Sequence, residues 1–209
     1  MALKELILIR HGELPEEYSG RFVGSTDAPL GQKGICDCQA LAPIWKAKYA
    51  GSTVFVSPKA RARESAELTC GDCGFQIDDR LREIDFGKWE NLTFAEIRER
   101  DPELCEEWMA HPDDMIFPDG ESFPGFCGRV SEFAAMLRGI AEERVTVVSH
   151  GGVLTRLIFE FLGLPPGEIW RWQPGRGSLS VIGFGPEDPH GRFRIFNLTG
   201  DFIRNCDRI

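Results

Sequence analysis

Two of the four histidines in this 209-residue chain sit at the ends of apolar runs, each followed at once by glycine. The first run reads Leu6-Ile7-Leu8-Ile9-Arg10-His11-Gly12-Glu13, the second Val145-Thr146-Val147-Val148-Ser149-His150-Gly151-Gly152. A neutral imidazole nitrogen is a competent nucleophile at phosphorus, and an Arg fork matches phosphate oxygens. Arg10 and His11 therefore read as an anion-binding group beside a nucleophile. Gly12 lets another backbone approach without a side chain in the way. A strand-end histidine satisfied by backbone is the plainer alternative for either imidazole.

Two further segments carry candidate groups. In Ser57-Pro58-Lys59-Ala60-Arg61-Ala62-Arg63-Glu64-Ser65-Ala66 a strand stops at Ser57 and a helix starts near Pro58, a residue suited to an early helical position. Arg61 then lies in the first turns, where a helix N-terminus favours anions and the guanidinium adds a second clamp. Arg63 reads as a solvated helix residue. In Leu81-Arg82-Glu83-Ile84-Asp85-Phe86-Gly87-Lys88-Trp89-Glu90 the aromatic surround would raise a carboxyl pKa, which suits Glu83 to proton donation.

These groups need a scaffold that gathers them. Strands are expected over Glu5 to Arg10, Thr53 to Ser57, Val145 to Ser149, Ser178 to Phe184 and Phe193 to Leu198. Helical patterns lie between them: Gln32 to Ala47, Ala60 to Cys70, Thr93 to Ala110 interrupted at Asp101-Pro102, Phe123 to Glu142, and Gly152 to Leu162. Such alternation implies right-handed βαβ units and an α/β fold with a mostly parallel sheet. In open sheets of this kind ligands bind outside the carboxyl ends of the strands, where both histidines fall. The turn cluster Gly185 to Gly191 separates two alternating runs and predicts a terminal hairpin.

The length suits a single domain spanning 1–209. A net charge of −9 argues against nucleic-acid or anionic-membrane partners, although a local Arg pocket still accommodates a phosphate ester. No apolar stretch reaches membrane-spanning length, and Met1 to Glu5 lacks the features of a signal peptide. Seven scattered cysteines read as reduced thiols in a cytoplasmic protein. Cys36, Cys38, Cys70 and Cys73 fit zinc spacing poorly, and neither a metal nor another cofactor is expected.

Arg10 to Glu13, Gly20-Arg21-Phe22, Asp27 to Leu30, Ser57 to Ala66, Glu83 to Glu90, Gly120-Glu121-Ser122 and Ser149 to Gly152 occur in the order seen in the histidine phosphatase superfamily, the phosphoglycerate-mutase-like clan. The resemblance runs from residue 6 to about residue 160. It implies a three-layer α/β/α sandwich and a phosphohistidine intermediate. His11 resembles the nucleophile, Glu83 the general acid, and Arg10, Arg61 and His150 the phosphate pocket, with His150 also counted as catalytic. Arg21, Gly24 and Ser25 resemble substrate contacts. The substrate implied is a small phosphorylated metabolite, hydrolysed without a metal.

Many relatives carry an Asn or Gln in the loop after the nucleophile, where an ungapped match here places Glu17. A carboxylate beside a dianionic phosphate is costly, so Glu17 is expected to point outward. Residues 84–122 are expected to form a cap-like insertion beside the site. The segment between Glu83 and His150 is short beside those of cofactor-dependent phosphoglycerate mutases and resembles the phosphatase branch. Gly20 to Leu30 is similar to α-ribazole phosphatases, which suggests α-ribazole 5'-phosphate as a substrate. A mutase and a non-catalytic phospholigand-binding protein are the alternatives. Trp89, Trp108, Met109, Met115, Phe117 and Phe123 are candidates for either substrate contact or core packing.

Overall fold

The computed structural model describes residues 2–165, 173–185 and 190–205. Among these residues six strands form one sheet: β1 (Glu5–Arg10), β2 (Thr53–Val56), β3 (Gln76–Ile77), β4 (Arg144–Ser149), β5 (Ser178–Gly183) and β6 (Arg192–Thr199). Their order is β3-β2-β4-β1-β5-β6, with β3, β2, β4 and β1 mutually parallel and β5 and β6 antiparallel at one side. The central strands β1 and β4 are buried on both faces, and for that reason they read as continuous apolar runs.

Alternation along β1 explains the layers. Leu6 and Leu8 join one hydrophobic cluster with Val145, Val147, Phe126, Phe133, Leu154 and Ile158, whereas Ile7 and Ile9 join another with Leu41, Trp45, Ala62 and Val148. Helices α1 (Gln32–Lys48) and α2 (Ala60–Cys70) cover the second face. Helices α5 (Phe123–Arg138) and α6 (Gly151–Leu162) cover the first. This is the three-layer α/β/α sandwich that the resemblance implies.

The segment between Glu83 and α5 holds α3 (Phe94–Arg100) and α4 (Pro102–Ala110). Thr93 and Glu96 close a capping box at α3, and Pro102 restarts the chain as α4 at the predicted interruption. Trp89, Trp108, Met115, Phe117 and Phe123 are all buried in the same cluster as Leu6 and Leu8. Only Met109 of the six aromatic and thioether candidates is exposed. The cap-like segment thus shares its core with the sheet.

Three departures from the expected elements have local causes. Helix α5 stops at Arg138 rather than Glu142, because Gly139 turns back and donates to Met136 O. Strand β3 has two exposed residues and no periodicity to betray it. The short α7 (Gly200–Asn205) follows β6 directly and buries only Gly200. The terminal hairpin forms by antiparallel pairing of β5 with β6, while residues 186–189 of its turn lie outside the described residues.

Candidate active site

The order β2-β4-β1 sets the carboxyl ends of three parallel strands side by side, so Ser57, His150 and His11 stand in a row. His11 N donates to Ser149 O at 3.0 Å and Ser57 N to Val148 O at 3.0 Å, extending both ladders into the site. The two imidazole centroids lie 5.2 Å apart. Helices α2 and α6 both start here, bringing two positive helix ends to one place. The loop after β1 lies tight on α1: a Cβ on Gly12 would meet the Gly34 backbone at 2.6 Å, so neither glycine tolerates a side chain.

His11 is buried, and its Nδ1 lies 2.7 Å from Gly12 O. A carbonyl only accepts, so Nδ1 carries the proton and Nε2 keeps the lone pair. Burial, reinforced by Arg61 and Arg10, holds His11 well below the ordinary histidine value of 6.5. The imidazole is therefore neutral at physiological pH. Ser65 Oγ accepts from Gly12 N at 3.0 Å and donates to Arg61 O at 2.7 Å, tying the nucleophile's loop to α2.

His150 is fully buried and is likewise held well below 6.5, first by burial and then by Arg61 and His11. Arg61 Nε donates to its Nδ1 at 3.2 Å, so the proton of the neutral ring sits on Nε2 and is donated to Ser57 Oγ at 2.7 Å. Arg61 is also fully buried. Its Nη1 donates to Thr26 O at 2.7 Å, and its Nη2 to Val23 O at 3.2 Å and Gly24 O at 3.0 Å. A guanidinium has five N–H groups, so little of Arg61 is left for an incoming ligand.

Arg10 is half-buried, with Nη1 donating to Pro174 O at 2.6 Å and a buried Nε that lacks a partner. Burial, with Arg176 adding to it, pushes its pKa down to about 10, while Glu83 and Glu13 pull it back up. Across the pocket, Glu83 accepts from Gly152 N at 3.2 Å, at the start of α6, and from Ile84 N at 3.2 Å. Beside it lies a small cavity of about 30 Å³ lined by Ile84, Phe86, Phe123, Phe126, Gly152 and Gln173. Arg10, His11, Arg61, Glu83 and His150 thus converge from four separate segments.

The remaining expectations fall differently. Arg21 is spent on the Glu17 and Asn91 carbonyls and on Glu96, and so braces its loop. The N–H groups of Gly24 and Ser25 are not open to a substrate, because Glu90 accepts both, at 3.1 Å and 2.7 Å to Oε1. Glu17 is exposed, in a short 3-10 turn at Glu16–Tyr18. Among the described residues no group of three or more His, Cys, Asp or Glu side chains is placed to hold a metal ion. The six described cysteines are free thiols.

Four side chains that sequence reasoning missed complete the frame. Glu90 threads the 24–26 loop, and Arg129 of α5 holds the Glu83 segment through the Arg80, Arg82 and Glu83 carbonyls. Glu121 grips Arg129 with both oxygens, at 2.7 and 2.8 Å. Arg176 pairs with Glu13 at 2.8 Å. Glu90 and Glu121 lie in segments that carry the resemblance but without a role, Arg129 and Arg176 lie in none, and the tertiary fold gives all four their partners.

With this geometry in place, the chain belongs to the histidine phosphatase superfamily (branch 1), whose family model matches residues 6–195. It is an α/β enzyme of the histidine phosphatase class. Among its relatives, the adenosylcobalamin/alpha-ribazole phosphatase of Escherichia coli (strain K12) is 32% identical over 96% of this chain and 99% of that protein. The crystal structure of the alpha-ribazole phosphatase from Shigella flexneri matches with a TM-score of 0.83 at 29% identity, covering 92% of this chain and 96% of that one. Phosphoserine phosphatase 1 of Hydrogenobacter thermophilus is 28% identical over 85% of each chain.

Proposed function

We propose that this chain is a phosphomonoester hydrolase working through a phosphohistidine on His11, with a small phosphorylated metabolite as substrate and α-ribazole 5'-phosphate the first candidate. The observation that carries this reading is the fixed tautomer of His11: Nδ1–H is held by Gly12 O, which leaves the Nε2 lone pair in a pocket of buried cations. The substrate named follows from the relatives' activity, at 32% identity over nearly the whole chain.

In the first step His11 Nε2 attacks phosphorus and the ester P–O bond breaks. Glu83 gives its proton to the departing oxygen. Arg10 and the one N–H group that Arg61 keeps free face the equatorial oxygens, with His150 beside them, and catalysis is chiefly positioning and electrostatics. In the second step Glu83 takes a proton from water, the water oxygen attacks phosphorus, and the P–N bond breaks to return neutral His11 and inorganic phosphate. The wall beside Glu83 is apolar, with Phe86, Phe123 and Phe126 in it, which suits an apolar leaving group better than a small charged one.

The whole of 1–209 acts as one domain, with residues 84–122 as the cap over the leaving group. Among the described residues no helix is long and apolar enough to cross a membrane, and the cytoplasm is the proposed location. The test is phosphorus NMR of the purified protein with α-ribazole 5'-phosphate, phosphoserine, sugar phosphates, and 3-phosphoglycerate with a trace of its bisphosphate. Growth of inorganic phosphate, fastest from α-ribazole 5'-phosphate, is expected. Conversion of 3- to 2-phosphoglycerate without free phosphate would overturn the hydrolase reading in favour of a mutase.

A further inference from the structure

The phosphate pocket of this chain is short of donors. Arg61 has given most of its N–H groups to Val23, Gly24, Thr26 and His150. Glu17, which stands where many relatives offer an amide, is exposed. A phosphoryl group in transfer carries charge on three equatorial oxygens, each able to accept more than one hydrogen bond.

Residues 173–177 run as a strap across the end of β1. Pro174 O takes Arg10 Nη1, and Gly177 N donates to His11 O at 2.9 Å. Arg176 lies between these two anchors, so its backbone is fixed next to both reactive-strand residues. Its Nη1 is held by Glu13 Oε1, in an ion pair whose side chains are 24% and 38% exposed. An ion pair this open to solvent is weak and exchanges readily for a better acceptor. The charge of Arg176 is felt at Arg10, His11 and Arg61, which places the guanidinium at the pocket rather than on the outer surface.

We propose that Arg176 is a phosphoryl-binding residue: its guanidinium waits on Glu13 and moves onto the transferred phosphoryl group, supplying the contact that the Leu14 to Gly20 loop lacks. The proposal rests on the hydrolase reading for its substrate, but phosphate binding tests it independently of turnover. A fork that grips two oxygens gives a charge-assisted contact, whose loss lowers affinity about tenfold or more.

The experiment is calorimetric titration of inorganic phosphate into wild type, Arg176→Met, Arg176→Lys and Gln173→Ala, with circular dichroism confirming the fold of each. Arg176→Met is expected to raise the phosphate Kd about tenfold or more. Arg176→Lys, which keeps the charge and loses the fork, should fall between it and wild type. In turnover, kcat/KM of Arg176→Met should drop by a similar factor. Should Met at this position disturb folding, Arg176→Gln carries the same expectation. A Kd within about twofold of wild type in a folded Arg176→Met protein overturns the proposal. So does a tenfold loss in Gln173→Ala with Arg176→Met unchanged, because the strap's amide would then be the ligand. A wild type that binds phosphate but hydrolyses no ester sinks the hydrolase reading instead, and the Kd ratio still decides Arg176.

Discussion

Replacing Glu90 by Gln removes the carboxylate charge that holds the 24–26 loop, and the structure sets the size of the effect. The Glu90 carboxylate accepts from Gly24 N at 3.1 Å, Ser25 N at 2.7 Å, Thr26 N at 3.1 Å, Thr26 Oγ1 at 2.6 Å and Phe86 N at 3.1 Å. An amide retains a single acceptor oxygen and turns an NH₂ toward donors. If the oxygen stays with Gly24, Ser25 and Phe86, Thr26 N is left facing a donor, although the Thr26 hydroxyl is free to rotate. One orphaned N–H costs about 1–3 kcal/mol, and the bonds that remain lose their charge assistance, for a total near ~3 kcal/mol. For a chain of this size that lowers Tm by roughly 6–12 °C. The same loop presents the Val23, Gly24 and Thr26 carbonyls to Arg61, which in turn holds His150. A drop in kcat/KM of about tenfold should therefore accompany the stability loss, a fall of about 1.4 kcal/mol in transition-state stabilisation. Urea unfolding at neutral pH and steady-state hydrolysis measure both. Stability within about 0.5 kcal/mol of wild type, with unchanged kcat/KM, would refute the reasoning and make Glu90 an ordinary surface carboxylate.

Glu83→Gln should lower kcat by about 10²–10⁴ on alkyl phosphates, and far less on an aryl phosphate whose leaving group needs no proton; equal losses on both would remove Glu83 from the acid role. His11 and His150 are both held well below 6.5, so kcat/KM should stay level as pH falls through 6.5 and decline only at more acid pH, which a pH–rate profile reads directly. Because their folded pKa values lie below the unfolded one, the unfolded chain binds more protons in that window. Stability should accordingly fall as pH drops from 6.5 toward the folded values and show no slope from these groups above it. Gly12→Ala drives a Cβ to 2.6 Å from Gly34 O and should cost about 2 kcal/mol or more in urea unfolding; a neutral result would mean that the β1 loop and α1 separate freely.

What the sequence disclosed was whatever local pattern dictates. Leu6 to Ile9 and Val145 to Val148 announced buried strands, the glycines after His11 and His150 announced their ends, and Asp101-Pro102 marked the α3–α4 break where it occurs. The meeting of His11, Arg61, Glu83 and His150 followed from motif order. Groups whose purpose is tertiary stayed hidden. Glu90 is one acidic residue among many until the 24–26 loop folds onto it, and that folding also spends the N–H groups of Gly24 and Ser25, two residues that the resemblance assigns to substrate. Arg176 sits in a strap without periodicity, and only the antiparallel return of β5 beside β1 brings it to the site. The cap aromatics carried no signal separating core from contact; their burial with Leu6 and Leu8 decides for packing, with Phe123 also reaching the cavity wall.

The central claim is a covalent phosphoryl group on His11. Mixing enzyme with its fastest ester for milliseconds, quenching in alkali and mapping the phosphoryl group by mass spectrometry tests it most directly. A base-stable, acid-labile phosphoryl group on the peptide containing His11, formed at a rate at least equal to kcat and missing from His11→Ala, is the predicted result. Full turnover with no phosphoryl group on His11, or with one on another residue, would contradict the account.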